Sequence, residues 1–296
     1  MTSSDDSLTA PGAAQPAVVL PGRGGLPKAV LTAVDGDRAE VYLHGAHVTS
    51  WIPAGGGERL FLADRASFEP GAAIRGGMPV IFPQFAGMGT LPKHGFARTV
   101  VWELVEADGT PGGAAFARLR LQDTASTREL WPHAFVAELS VTVASQQLDV
   151  ALTVTNTGSE PLSFTGALHS YFRVDDVGTA VVEGLGGTRY RDSAGGDERI
   201  DQEQVLTVAG EIDRVYLDAP DRLLLRDGSR TLAIQAAGFP DVVVWNPGAA
   251  RARALPDLGS DAYLRMLCIE AAVVGTPVRL VPGGAWTGRQ TLSAED

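Results

Sequence analysis

Two residues set in apolar, strand-like runs are of types that move protons: His169 in 165-TGALHSYFRV-174 and Glu270 in 264-LRMLCIEAAVV-274. Alternation along the first run puts Thr165, Ala167, His169, Tyr171 and Arg173 on one face, and Gly166, Leu168, Ser170, Phe172 and Val174 on the other. In the second run Glu270 shares a face with Met266 and Cys268. A carboxylate inside an apolar strand is costly unless it is paired, hydrogen-bonded or turned toward a cavity. A strand glutamate and a strand histidine together suit general acid–base work, in which one group takes a proton and the other gives one.

Other chemistries can be tested against the same residues. Ser170 adjoins His169, but neighbours on a strand point to opposite faces, and no GxSxG elbow occurs. The five histidines are His44, His47, His94, His133 and His169. His44 and His47 flank a Gly-Ala turn between strands, and His133 follows Trp-Pro in a loop. With no HExxH and no cysteine cluster, no zinc site is expected. Phosphate-cradling GxGxxG and GxxxxGK[ST] loops are absent from the sequence. The stretch 72-AAIRGGMPVIFPQFAGMGTLPKHGFAR-98 differs: Arg75, Lys93, His94 and Arg98 flank glycine-rich backbone. Exposed amides and charged donors there suit an anion, and solvated loop charges are the alternative.

Period-2 patterning supplies the elements that must position these groups. It is clearest in 135-FVAELSVTVASQQLDVALTVTNTG-158, which predicts an antiparallel hairpin turning at about residues 145–147. Strand-like runs also occur at 28–34, 39–43, 45–52, 99–107, 114–122, 231–237, 241–246, 263–274 and 278–282. Helical periodicity is nearly absent, with short turns at 64–69 and 256–263 as the best candidates. Thirty-five glycines and eighteen prolines punctuate the strands. The expected fold is all-β: one large, mostly antiparallel β-sandwich over residues 21–296, behind a flexible leader of residues 1–20. One face of such a sheet can stay open and hold a site.

Charge and composition narrow the partners. The chain has 296 residues and a formal net charge of −11, with lysine only at positions 28 and 93. It lacks the basic stripe that supplies most nucleic-acid affinity, so no nucleic-acid partner is expected. An anionic partner would need a few well-placed arginines. No uninterrupted apolar window approaches the roughly 18–20 residues of a membrane helix. The N-terminus, MTSSDDSLTAPGAAQPA, has no basic and apolar signal pattern. The single cysteine, Cys268, reads as a small buried hydrophobe and fits a reducing cytoplasm, the expected location.

In order and spacing, 74-IRGGMPVIFP-83, 91-LPKHGFAR-98, 166-GALHSYFRV-174, 211-EIDRVY-216, 244-VWNP-247 and 268-CIE-270 resemble the hexose-6-phosphate mutarotases. These form the glucose-6-phosphate 1-epimerase branch of the aldose 1-epimerase superfamily; the similarity runs over residues 28–290 and includes GAHVTSW at 45–51. The resemblance implies a galactose-mutarotase-like β-sandwich whose concave sheet holds the sugar. It places Glu270 on the catalytic base, His169 on the catalytic acid, Arg75 and Arg98 on phosphate-associated positions, and Asp213 on a carboxylate that binds sugar hydroxyls. His94 is then expected to line the site. Lys93 departs from the family, which commonly has a polar residue there, often glutamine, and this bears on which sugar is preferred.

The implied reaction opens a cyclic hemiacetal: the base takes the C1 hydroxyl proton, the acid protonates the ring oxygen, and closure on the other carbonyl face reverses both transfers. It needs no metal or redox cofactor. Ordinary pKa values of about 4.3 for Glu and 6.5 for His would leave one group ionised and the other able to hold a proton. A sugar-phosphate substrate and a monomer are expected, with no membrane partner. An epimerase of unphosphorylated aldoses and a non-catalytic carbohydrate-binding sandwich are the competing readings.

Overall fold

In a computed structural model of the protein, the structure describes residues 15–192 and 197–295. Three antiparallel sheets carry nearly all the order. Four strands, Gln15–Pro21, Pro27–Thr32, Arg38–Tyr42 and His47–Ile52, form the first in sequential order. The nine-stranded sheet runs Val205–Thr207, Val181–Glu183, Arg222–Asp227, Arg230–Ala237, Ala285–Ala294, Gln147–Asn156, Phe135–Ala144, Ala115–Gln122, Glu103–Gly109. The eight-stranded sheet runs Glu198–Ile200, Arg189–Asp192, Ile212–Leu217, Asp241–Asn246, Met266–Leu280, Leu162–Leu168, Val80–Ile81, with Tyr171–Arg173 also paired to Met266–Leu280. This is the mostly antiparallel β-sandwich that the alternation predicts.

The hairpin at residues 135–158 shows why the pattern was legible. Phe135, Ala137, Leu139, Val141 and Val143 are buried, as are Leu148, Val150, Leu152 and Val154, and the two strands meet at Ser145–Gln146. Both turn residues have positive φ, 54° and 59°, the twist that a two-residue hairpin connection requires. These side chains join one core lying between the large sheets, with Leu168, Phe172, Val242, Val244, Leu267 and Ile269 of the eight-stranded sheet.

Three expectations change at their edges. The strand Gln15–Pro21 begins inside the stretch read as leader, runs one residue past it, and pairs with Pro27–Thr32 across the tight Arg23–Gly25 turn. Val18, Val19 and Leu20 in it stay exposed, so backbone pairing rather than burial holds them, which alternation does not register. Residues 1–14 of that leader lie outside the described residues. The runs at 263–274 and 278–282 merge into one strand, Met266–Leu280, and Ala262–Arg265 forms a single 3-10 turn before it. Two α-helices occur among the described residues, Ala125–Leu130 and Gly248–Arg253, neither of them anticipated. Among those residues no helix is long and apolar enough to cross a membrane, which says nothing of strands.

Candidate active site

The open face of the eight-stranded sheet is laid out in cross-strand rows. Asp213 faces Trp245, Trp245 faces Cys268, and Cys268 faces Tyr171, across four neighbouring strands. Two residues along, Val215 faces Val243 and Val243 faces Glu270. Residues directly opposite one another share a face, and a step of two returns to it. The segment around His169 breaks into Leu168 and Tyr171 paired strands, yet Leu168 faces Ala271 and Tyr171 faces Cys268 in unbroken register. His169 therefore falls opposite Glu270, and its Nδ1 lies 3.3 Å from Glu270 Oε1. Ser170 points the other way, donating from Oγ to Gln290 Oε1 at 2.5 Å between the sheets.

These rows floor a cavity of about 410 Å³ lined by Arg75, Lys93, His94, His169, Asp213 and Glu270, with Phe85, Val243, Trp245, Arg251 and Leu255 among its walls. Volume and mixed lining both suit a small ligand. Six of the seven residues singled out in the sequence line it; Arg98 does not. Arg98 sits one layer back, its Nη2 donating to the Lys93 carbonyl at 3.0 Å. The loop closes over its own guanidinium, so Arg98 holds Lys93 in place and acts on the cavity through its charge.

Arg75 is held from several sides. Its Nη1 donates to the Tyr171 hydroxyl at 3.1 Å, and its Nη2 lies 3.0 Å from Asp257 Oδ2. Burial alone would weaken its charge, but Tyr171 and Asp257 outweigh burial and raise its pKa further. His44 and His47 anchor the loop behind it, their Nε2 atoms donating to Ala72 O at 2.6 Å and Gly76 O at 2.7 Å. Gly77, at φ 63°, leaves no room for a side chain: a Cβ there would meet Val48 O at 2.3 Å. The two histidines thus support the cradle, and the tight Arg-Gly-Gly turn sets the arginine against the sheet.

His94 adopts φ 69°, a region that favours glycine, and two bonds to Ala86 hold it there. Its backbone N–H donates to Ala86 O at 2.9 Å, and its Nδ1 accepts from Ala86 N at 3.2 Å. That acceptor role leaves the proton of the neutral ring on Nε2. Burial, then Arg98, Lys93 and Arg75, push its pKa down to about 3, so the ring stays neutral. His169 packs edge-on to it at 5.5 Å and stacks on Tyr171 at 4.8 Å with 9° between planes.

The pair at the centre departs from ordinary protonation. Burial, then the neighbouring His94, Arg98 and Arg75, hold His169 well below the usual imidazole range. Burial, then Asp213, hold Glu270 well above the usual carboxylate range, against the pull of Arg98 and Lys93. Both directions oppose the ionised-Glu, protonated-His state expected from reference values: the buried surroundings favour the uncharged forms. Glu270 Oε2 is buried without a hydrogen-bond partner, and His169 Nδ1 has none beyond its 3.3 Å approach to Glu270 Oε1.

A scan against family models matches the aldose 1-epimerase family over residues 28–293. The chain belongs to the aldose 1-epimerase family. A protein of Cenchrus ciliaris named "Putative glucose-6-phosphate 1-epimerase" is 40% identical over 281 residues, 91% of this chain and 85% of that one. A protein of the same name from Escherichia coli strain K12 is 34% identical, covering 79% of each chain. Among solved structures, a "putative mutarotase" of Salmonella typhimurium superposes with a TM-score of 0.84 at 28% identity, covering 94% of this chain and 96% of that one.

Several groups around the cavity escaped sequence reasoning. Arg251 lies on the short helix that follows VWNP and pairs with Glu211 at 2.8 Å and Asp213 at 3.9 Å. Its cation stands at the cavity mouth because the chain folds back there, a tertiary fact with no local signature. Trp245 and Tyr171 were visible as strand aromatics, but their places come from the cross-strand row. Asp257 was visible only as part of a turn.

Proposed function

We propose that this chain interconverts the α and β anomers of hexose 6-phosphates, glucose 6-phosphate first among them, with Glu270 as base and His169 as acid. The observation that carries the reading is the facing pair: a buried imidazole and carboxylate 3.3 Å apart, on the floor of a cavity bearing Arg75, Lys93 and Arg251. Family membership and the names of the relatives point to the same class of reaction. The single cysteine suits the cytoplasm.

The protonation state fits this mechanism in a particular way. The uncharged pair, with the proton on Glu270, and the working pair, with it on His169, hold the same single proton. A transfer across 3.3 Å arms the site with no exchange with solvent. Sugar hydroxyls bonded to the new carboxylate then stabilise the charged form. Glu270 takes the C1 hydroxyl proton, His169 gives its proton to the ring oxygen, and the C1–C2 bond rotates before the steps reverse. Each positioned group contributes roughly 10²–10⁴-fold. His94, neutral with its Nε2–H toward the site, serves as a donor that does not compete for the proton. Asp213 accepts from sugar hydroxyls.

Arg75 and Lys93 hold the phosphate, Arg98 backs them from behind Lys93, and a charge-assisted bond of this kind contributes about 1.5–3 kcal/mol. Cations inside a chain of net charge −11 concentrate an anion where the global field repels it. Two-dimensional exchange NMR on glucose 6-phosphate, glucose and galactose tests the reading. Faster α/β exchange for the phosphorylated sugar supports it, and Arg98→Ala should then slow that sugar alone. Faster exchange of galactose would transfer the assignment to free aldoses, and binding with no acceleration would make the protein a carbohydrate-binding sandwich.

A further inference from the structure

The row beside the catalytic pair contains a residue that ring opening does not use. Cys268 is two residues from Glu270 on the same face of Met266–Leu280, directly opposite Tyr171 and Trp245. An imidazole nitrogen of His169, the Cys268 sulfur and a Glu270 carboxylate oxygen all lie within 4.8 Å of one another, and all three residues are buried. We propose that His169, Cys268 and Glu270 form a binding site for a thiophilic divalent cation, zinc above all, and that its occupancy switches the enzyme off.

The donor set selects the ion. Imidazole, thiolate and carboxylate together suit zinc and its heavier congener cadmium, whereas magnesium and calcium prefer oxygen alone. Bonds of about 2.0–2.3 Å put tetrahedral donors roughly 3.5 Å apart, so a pair as wide as 4.8 Å closes by about 1.3 Å, within the reach of side-chain rotation. Two of the groups have lone pairs that no other residue engages, since Glu270 Oε2 is buried without a hydrogen-bond partner and His169 Nδ1 meets only Glu270 Oε1. His169 and Glu270 also line the cavity, which leaves a fourth position facing it for water or a sugar oxygen.

Binding requires no oxidant. The Cys268 thiol and the protonated Glu270 carboxyl each release a proton to solvent, and the metal–sulfur and metal–oxygen bonds form with the electron pairs left behind. The lone pairs that the ion takes from Glu270 and His169 are those that would accept and relay the sugar's proton. Inhibition therefore rests on the proposed reaction, whereas binding does not.

The test titrates the purified full-length chain, freed of metal by chelator, with cadmium chloride and then zinc chloride. Ultraviolet absorbance follows the cadmium–thiolate charge-transfer band while exchange NMR follows glucose 6-phosphate anomers. The expected result is a band that saturates at one equivalent, exchange lost in parallel, and protection by excess sugar phosphate. Cys268→Ala should keep the metal-free exchange rate, show no band, and need roughly tenfold or more metal for the same inhibition. Cys268→Ser, which keeps a small polar side chain, guards against a folding defect in the alanine variant and should behave like it. Absence of the band in the wild-type chain, or equal inhibition of wild type and both variants, would overturn the site. A band in a chain that shows no exchange would uphold the site and instead refute the proposed function.

Discussion

The two faces of the strand Met266–Leu280 are built to opposite ends. Leu267, Ile269, Ala271 and Val273 turn into the core between the large sheets, where they pack with Phe172, Val242, Val244 and Leu292. Cys268 and Glu270 turn the other way, Cys268 into a smaller apolar cluster with Tyr171, Trp245 and Met266, and Glu270 onto the floor of the cavity. One face gains from removing apolar area from water, about 25 cal/mol per Å². The other bears the cost of a buried carboxylate whose nearest partner, His169, is held toward its neutral form. Period-2 geometry lets a single segment do both, because packing on one side fixes the backbone that aims the chemistry on the other.

The sharpest break in that comparison is His169→Asn, which should lower glucose 6-phosphate anomer exchange by roughly 10²–10⁴-fold in exchange NMR while leaving the unfolding midpoint close to wild type. Ile269→Ala, one residue from Glu270 but on the packed face, should do the reverse. Its expected cost is about 2–5 kcal/mol in urea unfolding, with exchange per folded molecule nearly unchanged. A large loss of exchange at retained stability would show that the faces are not separable.

The cradle behind the site carries a pH signature. Burial, the largest cause, drives the His47 pKa down to about 3 from an ordinary 6.5, with His44 and Arg98 adding to it and its bond to Gly76 opposing. A depressed pKa means that this stability is complete above about 6.5 and is lost as pH falls toward 3, since the unfolded chain binds the proton first. Thermal unfolding measured across that window should show the loss, and His47→Gln should flatten it. The smallest expected effect belongs to Tyr171→Phe, which removes the acceptor of the Arg75 bond but keeps the ring stacked on His169. A loss of about 0.5–1.5 kcal/mol, up to roughly tenfold, should appear in KM for the phosphorylated sugar with kcat nearly constant.

What the sequence made legible follows from the same contrast. Glu270 and His169 stood out because each breaks an apolar alternation, and the hairpin at 135–158 because nothing breaks it. The strand Ala285–Ala294 went unseen because its inward positions include Gly288 and the buried Gln290. Gln290 is tolerated there only because Ser170 donates to it and it donates to Ile269 O at 3.3 Å. Arg251 and Asp257 acquire their places from the fold of the segment after VWNP over the cavity, and Arg98 does not line the cavity, its Nη2 donating instead to the Lys93 carbonyl. The direction in which burial shifts the central pair was not legible for a related reason. Reference pKa values describe groups in water, and burial moves both toward neutrality.

The central claim is that the polar face of Met266–Leu280 supplies the base. Its most direct test is Glu270→Gln, a near-isosteric change that removes only the proton-accepting carboxylate. Exchange NMR on glucose 6-phosphate should show anomer exchange at least about a hundredfold slower than wild type, with the thermal midpoint held or raised because a strained buried acid is gone. Wild-type exchange in a folded Glu270→Gln protein would contradict the account.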